Sequence, residues 1–270
     1  MRDLKSVAAR AHLRTPWLWR AGWIALGLSI PIYVLTMLDA RVIDGVNVWT
    51  KPWKFHVSVG IHLLTLAICA TLLSSDKPRH LWWLTTAVLA STVFELIYIT
   101  ARAAMALPSH FDVSSPFTST MYTLMGIGAV TMTGCAGLLG IWIVRDRQFA
   151  FGPIVKWGVG GGLILGAVLG TLSGIAISGN NGHAVGGAQS DALGSWLFNW
   201  SRDGGDLRVA HFFGLHALQI IPLASWLIAQ QLRASIAPTV LACLAAGYVA
   251  LVLTTLIQAF SGLPFAASIL

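Results

Sequence analysis

Residues 237–260 read APTVLACLAAGYVALVLTTLIQAF and contain no charged side chain. At about 1.5 Å of rise per residue, a helix of this length reaches across a hydrocarbon core of about 30 Å. Six further stretches of the chain are similarly long and apolar. The seven stretches cover residues 17–38, 53–73, 81–106, 116–144, 151–178, 209–230 and 237–260. The sequence therefore predicts an all-α integral membrane bundle of seven transmembrane helices.

The composition of the whole chain favours the same fold class. Hydrophobic residues make up 56% of the 270 residues and charged residues only 10%, whereas soluble domains carry about 25% charged residues. The mean hydropathy is +0.74. The three cysteines lie inside apolar stretches without paired spacing, so no disulfide or zinc framework is predicted. No linker or internal repeat divides the chain, and we expect a single transmembrane domain over residues 1–270.

The distribution of Lys and Arg predicts the orientation of the chain. With the N-terminus in the cytoplasm, eleven of the 17 Lys and Arg residues fall on the cytoplasmic side, many of them in a basic tail over residues 1–16. The C-terminus is then periplasmic, and residues 179–206 form a long periplasmic loop. Within this loop, residues 191–200 are predicted to form a short interfacial helix. The net charge of +7 then faces membrane lipids, which are the expected partners instead of nucleic acid.

A glycine recurs at every fourth position of the fifth stretch. Gly158, Gly162, Gly166, Gly170 and Gly174 line one helical face with almost no side chain. Such a face allows another helix to approach closely, and the glycine-rich fourth stretch is a natural partner. The alternative is that this glycine zipper makes room for a planar cofactor or an isoprenoid tail. The spacing leaves both interpretations open.

Nearly all ionisable residues inside the apolar stretches map to the half that faces away from the cytoplasm. Such residues are costly in lipid unless they are partnered, and they often mark a functional site. Counted along their helices, His62, Glu95 and His216 lie at similar depths, about 10–15 Å below the outer boundary. His56 and His211 lie about one turn higher. We expect this histidine cluster to bind a cofactor, with His62, His216, His56 and His211 as ligands and Glu95 as the central catalytic group.

Further charged groups near the outer end complete the predicted site. Arg102 shares a face of the third stretch with Glu95, two turns further along. His110 and Asp112 follow in the connection after this stretch and would lie over the outer end of the bundle. We expect Glu95, Arg102, His110 and Asp112 to be the catalytic residues. The metal ligands, if a metal is bound, stay unassigned.

Three strings resemble segments of a group of bacterial polytopic membrane proteins that have seven helices and no assigned activity. These strings are KPWKF at 51–55, PSHFDVSSPF at 108–117 and DLRVAHFFGLHALQ at 206–219. The resemblance implies a multi-pass protein of the bacterial inner membrane. It carries no reaction to this chain.

Three classes of function fit these residues. A redox protein that uses b-type haem or quinone would need deep histidines, and it is slightly favoured. A metal-dependent hydrolase or transferase acting on a lipid would use a His, Glu and Asp set. Ser58 and His62 are similar in spacing to one element of seven-helix ceramidases, but the second histidine pair of that family is missing. A proton-coupled transporter or sensor would use a buried Glu and His, although no inverted repeat is visible. Enzyme status, cofactor (haem b or a divalent metal) and oligomeric state are left open.

Overall fold

The computed structural model describes residues 10–74, 78–188, 190–192, 194–195 and 197–265. Within these residues the fold is all-helical, and seven helices are long and apolar enough to cross a membrane. Four two-residue strands lie in the connections: β1 (Val42–Ile43), β2 (Val46–Asn47), β3 (Ala184–Val185) and β4 (Gly205–Asp206). The helices are α1 (Pro16–Leu38), α2 (Thr50–Ala70), α3 (Pro78–Ala104), α4 (Pro116–Arg145), α5 (Pro153–Gly179), α6 (Leu207–Gln231) and α7 (Ala237–Phe260).

Proline marks the first turn of several of these helices. Pro16, Pro78, Pro116 and Pro153 each open a helix, where the missing N–H of proline costs nothing because no helical carbonyl precedes it. α4 has in addition a capping box, in which Ser115 and the third residue of the helix exchange side-chain hydrogen bonds. The helix starts are therefore encoded locally.

The outer faces of the helices carry large apolar side chains. Ile97 is 64% exposed, Leu223 58% and Ile257 67%. A water-soluble protein would place charged residues on such faces, whereas lipid accepts apolar ones. These exposed surfaces are consistent with an integral, multi-pass membrane protein.

The helices group into two compact units, which are described separately. Unit 1 contains α1 to α4. Its first two helices approach closely at Gly22 and Gly60: a Cβ atom built at Gly60 would lie 3.0 Å from the Gly22 carbonyl oxygen. The side chains of Leu26 and Leu64 flank this contact. The two backbones approach closely because neither glycine carries a side chain.

Unit 2 contains α5 to α7 together with the short segment Asp44–Val46. The glycine face of α5 packs against α6, and the residue pairs run down the two helices in register. A Cβ built on each glycine would collide with or touch a residue of α6, in the pairs Gly158 with Ser225, Gly162 with Pro222, Gly166 with Leu218, Gly170 with Leu215 and Gly174 with His211. The prediction that the fourth stretch is the partner of this face is therefore wrong, because α6 atoms fill the space beside it.

The predicted short helix over residues 191–200 is not formed among the described residues; Leu193 and Trp196 lie outside them. The N–H of Ser195 donates to the carbonyl oxygen of Trp200, which lies ahead of it in the chain. Helical hydrogen bonds run in the opposite direction, to a carbonyl four residues earlier. Asn199 also has a φ of +59°, a left-handed conformation that interrupts a helix.

Candidate functional site

The carboxyl group of Glu95 is buried in unit 1 without a hydrogen-bond partner. Glu95 is 3% exposed, and its Oε1 atom has no partner among the described residues. This oxygen faces Gly128 of α4, where a Cβ atom would lie 3.0 Å away from it. The absence of a side chain at position 128 makes room for the carboxyl group. A buried polar atom without a partner costs free energy and calls for an explanation beyond packing.

The imidazole of His62 lies on α2, against the next turn of α4. Its ring approaches the main chain of Met132, and its Nε2 atom is buried without a hydrogen-bond partner among the described residues. The hydroxyl of Thr92, one turn from Glu95 on α3, donates to the sulfur of Met132 at 3.3 Å. We call Glu95, His62, Thr92, Gly128 and Met132 the Glu95 cluster. Three helices of unit 1 thus bring two polar groups with unused hydrogen-bonding capacity to successive turns of α4.

A second group of polar residues lies where α2 begins, and we call it the His110 cluster. Lys51 Nζ lies 3.0 Å from His110 Nδ1. The Ser109 hydroxyl lies 3.1 Å from the same nitrogen. Burial lowers the pKa of His110 well below its ordinary value, and the positive charge of Lys51 lowers it further. Because an ammonium group can only donate, Nδ1 of the neutral imidazole accepts the hydrogen bond from Lys51. The ring of Tyr122 completes the cluster, 6.2 Å from that of His110.

Lys51 ties the start of α2 to the loop that carries His110. The sequence indicated only that this lysine extends toward the membrane surface, and its contact with His110 was missed. One signal was available. Lys51 opens the second helix and His110 follows the third, so both must lie at the same end of an antiparallel helix pair.

Arg102 and Asp112 hold the loop that carries His110. Arg102 is 7% exposed, its Nε donates to the carbonyl oxygen of Pro108 at 2.8 Å, and its Nη2 forms an ion pair with Asp112. Hydrogen bonds from Ser114 lower the pKa of Asp112; partial burial opposes this, and the Arg102 charge supports it. His110 lies between these two anchor points. Both charged groups, predicted to be catalytic, are engaged with the loop and fix its conformation.

His56 makes a hydrogen bond within its own helix. It is 4% exposed, and its Nδ1 lies 2.8 Å from the carbonyl oxygen of Pro52. Because a carbonyl oxygen only accepts, Nδ1 of His56 carries a proton and donates it in this hydrogen bond. His56 lies in unit 1 near the start of α2, as its position in the sequence requires.

In unit 2, charged residues form a network at the start of α6. Asp206 caps the helix by accepting from the main-chain N–H of Arg208. The Arg208 guanidinium contacts both carboxylate oxygens of Asp191 at 2.8 and 2.9 Å. His183 Nε2 lies 3.1 Å from Asp191 Oδ1. Although burial opposes ionisation, hydrogen bonds from His183 and Arg208 lower the pKa of Asp191 to about 2. The network ties the loop after α5 to α6.

The two deep histidines of unit 2 each have a hydrogen-bond partner at Nδ1. The Nδ1 of His211 lies 3.1 Å from the hydroxyl of Ser173, and that of His216 lies 3.2 Å from Gln219 Oε1. The ring of His216 also packs on Phe212, with the centroids 4.3 Å apart. Because an amide oxygen only accepts, the Nδ1 of His216 donates and its Nε2 is unprotonated in the neutral ring.

The predicted convergence of His62, Glu95 and His216 on one ligand stays a prediction. His62 and Glu95 belong to unit 1, and His216 belongs to unit 2. Among the residues that the structure describes, no three His, Cys, Asp or Glu side chains come together as a metal site would require.

Comparisons with protein-family models, with curated proteins and with solved structures found no match to this chain.

Proposed function

We propose that this protein is an integral membrane protein that binds and releases a proton at Glu95, as a proton-coupled transporter or sensor does. The observation that carries the proposal is the buried Oε1 of Glu95, which has no hydrogen-bond partner among the described residues. A carboxyl group in an apolar span is costly to ionise, and ionisable residues at such depths occur in proton relays. Glu95 is therefore kept where a change of its protonation state has a large energetic consequence.

Reversible protonation also requires that the charged state be reachable. We infer that Lys51, which lies in the first turn of α2 in the same unit, favours the ionised carboxyl through its positive charge. Lys51 in turn contacts His110, whose loop is anchored by Arg102 and Asp112. We infer that protons pass between the Glu95 cluster and the His110 cluster, which both lie in unit 1, the second of them at the end where α2 begins. Ionisable groups placed in this way occur in proton relays.

Glu95 is the only glutamate in the chain, and this permits a direct test. Protein grown with glutamate labelled at the side-chain carboxyl carbon reports Glu95 alone, whether read by NMR or by infrared difference spectroscopy in lipid. We expect a change between neutral and ionised carboxyl as the pH is raised, and we expect Glu95→Gln to abolish proton uptake by proteoliposomes. A carboxyl that stays in one state at every pH at which the protein is folded would refute the proposal.

Asp203→Asn is a suitable control for the uptake measurement. Asp203 is an exposed loop residue whose pKa is lowered by a hydrogen bond from the main chain of Ala188. It is already ionised at neutral pH, so its replacement should leave proton uptake unchanged. Equal loss of uptake in Asp203→Asn and Glu95→Gln would attribute the signal to general damage.

A redox function with b-type haem or quinone is the second candidate, and the histidine nitrogens support it. A haem-ligating histidine commonly donates Nδ1 to a neighbour and binds iron through Nε2. The Nδ1 of His216 is held by Gln219, and the Nε2 of His62 has no partner among the described residues. The absorption spectrum of the purified protein tests this function: a Soret band that is lost in His62→Ala or in His216→Ala would support it. Metal analysis of the same sample tests the lipid hydrolase alternative.

We also propose a location for the protein. The Lys and Arg distribution supports a cytoplasmic N-terminus, and the resemblance of the three strings to bacterial polytopic proteins supports the bacterial inner membrane. In this orientation the His110 cluster faces the periplasm, from which protons would enter.

A further inference from the structure

A cavity of about 550 Å³ lies in unit 1 at the end opposite to the His110 cluster. Its lining combines two guanidinium groups, those of Arg10 and Arg14, with the side chains of Leu13, Leu72 and Phe151. The volume falls in the range of about 300–1,000 Å³ that is typical of small-molecule sites. The surface of the cavity is therefore cationic on one part and apolar on another.

The wall formed by the residues after α2 is held rigidly. Arg14 Nη1 donates to the carbonyl oxygen of Leu73 at 2.8 Å. The main-chain N–H of Ser74 donates to Asp146 Oδ2 at 2.7 Å, and the Ser74 hydroxyl donates to the other oxygen of the same carboxylate. The negative charge of Asp146 is thus bound by the wall, and Asp146 is 8% exposed. These hydrogen bonds connect the wall of the cavity to the segment before α1 and to the end of α4.

Exposed tryptophans place this end of unit 1 at the level of lipid headgroups. Trp17 of α1 is 63% exposed, and Trp82 and Trp83 of α3 are 56% and 58% exposed. α1 and α3 both begin at this end, so the three indole rings lie near one height. Tryptophan favours the boundary between hydrocarbon and headgroups. Arg10 and Arg14 precede α1, and they therefore lie just outside the hydrocarbon, where the phosphates of a bilayer lie.

We propose that this cavity binds the phosphate of an anionic phospholipid, with Arg10 and Arg14 as its ligands. Guanidinium groups bind phosphate oxygens in paired, charge-assisted hydrogen bonds. The apolar part of the lining, at Leu13, Leu72 and Phe151, accepts the glycerol and the first carbons of an acyl chain. The site is independent of Glu95 and of the proton function proposed above.

Binding to the delipidated full-length protein in detergent tests the proposal, with native mass spectrometry as the readout. We expect phosphatidylglycerol to bind at least about tenfold more tightly than phosphatidylcholine, and Arg10→Gln to remove most of this preference. Arg147→Gln is the matched control. Arg147 is an exposed arginine just after α4 and is not part of the cavity lining. It should leave the preference unchanged.

A variant that fills the cavity with a larger side chain distinguishes loss of the binding site from loss of a positive charge. Ala150 is an exposed residue of the cavity lining, and Ala150→Phe should block lipid binding while every arginine is kept. Equal affinity for the two lipids would overturn the proposal. So would an equal effect of Arg10→Gln and Arg147→Gln, which would show a diffuse surface field. Inorganic phosphate that binds as tightly as phosphatidylglycerol would overturn the lipid as the source of the phosphate.

Discussion

Two neighbouring glycines of α5 allow the packing against α6 to be measured. A Cβ atom at Gly162 would lie 2.5 Å from Pro222 Cδ and 3.1 Å from the carbonyl oxygen of Ala217. At Gly161 nothing lies within 4 Å of the corresponding position. Gly162→Ala therefore forces a methyl group into α6, whereas Gly161→Ala places it in open space. The two variants have the same composition and lie in the same turn of the same helix.

The expected magnitude follows from this comparison. Replacing glycine by alanine inside a helix is favourable by about 1 kcal/mol, and this gain is common to both variants. Overpacking costs about 1–3 kcal/mol, and only Gly162→Ala pays it. We therefore expect the free energy of unfolding of Gly162→Ala to be about 1–3 kcal/mol below that of Gly161→Ala.

Reversible unfolding in mixed micelles, followed by tryptophan fluorescence, measures this difference. Both variants should be compared with the parent protein at the same detergent concentration. Equal stability of the two variants would show that the glycine face does not pack on another helix, and it would remove the basis for the arrangement of unit 2.

Two further predictions concern the charges of the chain. Asp191→Asn should lower the unfolding temperature at neutral pH, because His183 and Arg208 stabilise the charged carboxylate. The pKa of Asp191 falls from 3.8 in the unfolded chain to about 2 in the folded protein. The ion pairs therefore contribute their full stability above pH 3.8, and this stability is lost as the pH falls toward 2. Thermal melts over a pH series measure it, and a difference from the parent that is the same at every pH would contradict the ion-pair explanation. For the orientation, a reporter fused after Arg147 should report cytoplasm and one fused after Leu270 should report periplasm; the same compartment for both fusions would contradict the predicted topology.

The helices could be predicted from the sequence because each span is long, apolar and bounded by local signals. The predicted stretch 237–260 coincides with α7, and Pro116 marks the start of α4 in both. α2 begins at Thr50, three residues before the predicted stretch, because the helix continues through the polar pair Lys51 and Lys54 that hydropathy alone excludes. α2 ends at Ala70, before the end of the predicted stretch at residue 73. Just after it, Ser74 is bonded to Asp146, a contact between distant positions that no local pattern reveals.

The candidate site was predicted less completely than the helices. Depth along a helix identified Glu95 and His62 as unusual, since it depends only on counting residues. Of the two interpretations that the glycine spacing left open, the structure supports the packing face. Its partner on α6 depends on which helices meet, and periodicity does not encode this. The ion pair between Arg102 and Asp112 joins a helix to the loop after it. Loop conformation of this kind, with Phe111 at a φ of +59°, is set by contacts and not by composition.

The packing of α4 on Glu95 has a consequence for how the third and fourth spans are inserted into a membrane. Gly128 and Met132, the α4 residues of the Glu95 cluster, are synthesised after α3. A charged side chain near the centre of an inserting helix costs about 2.5–3.5 kcal/mol at the translocon. We therefore expect the third span to enter a bilayer with its carboxyl group neutral, or together with the fourth. Gly128 leaves room for the carboxyl group, and we expect it to favour pairing of the two spans during insertion.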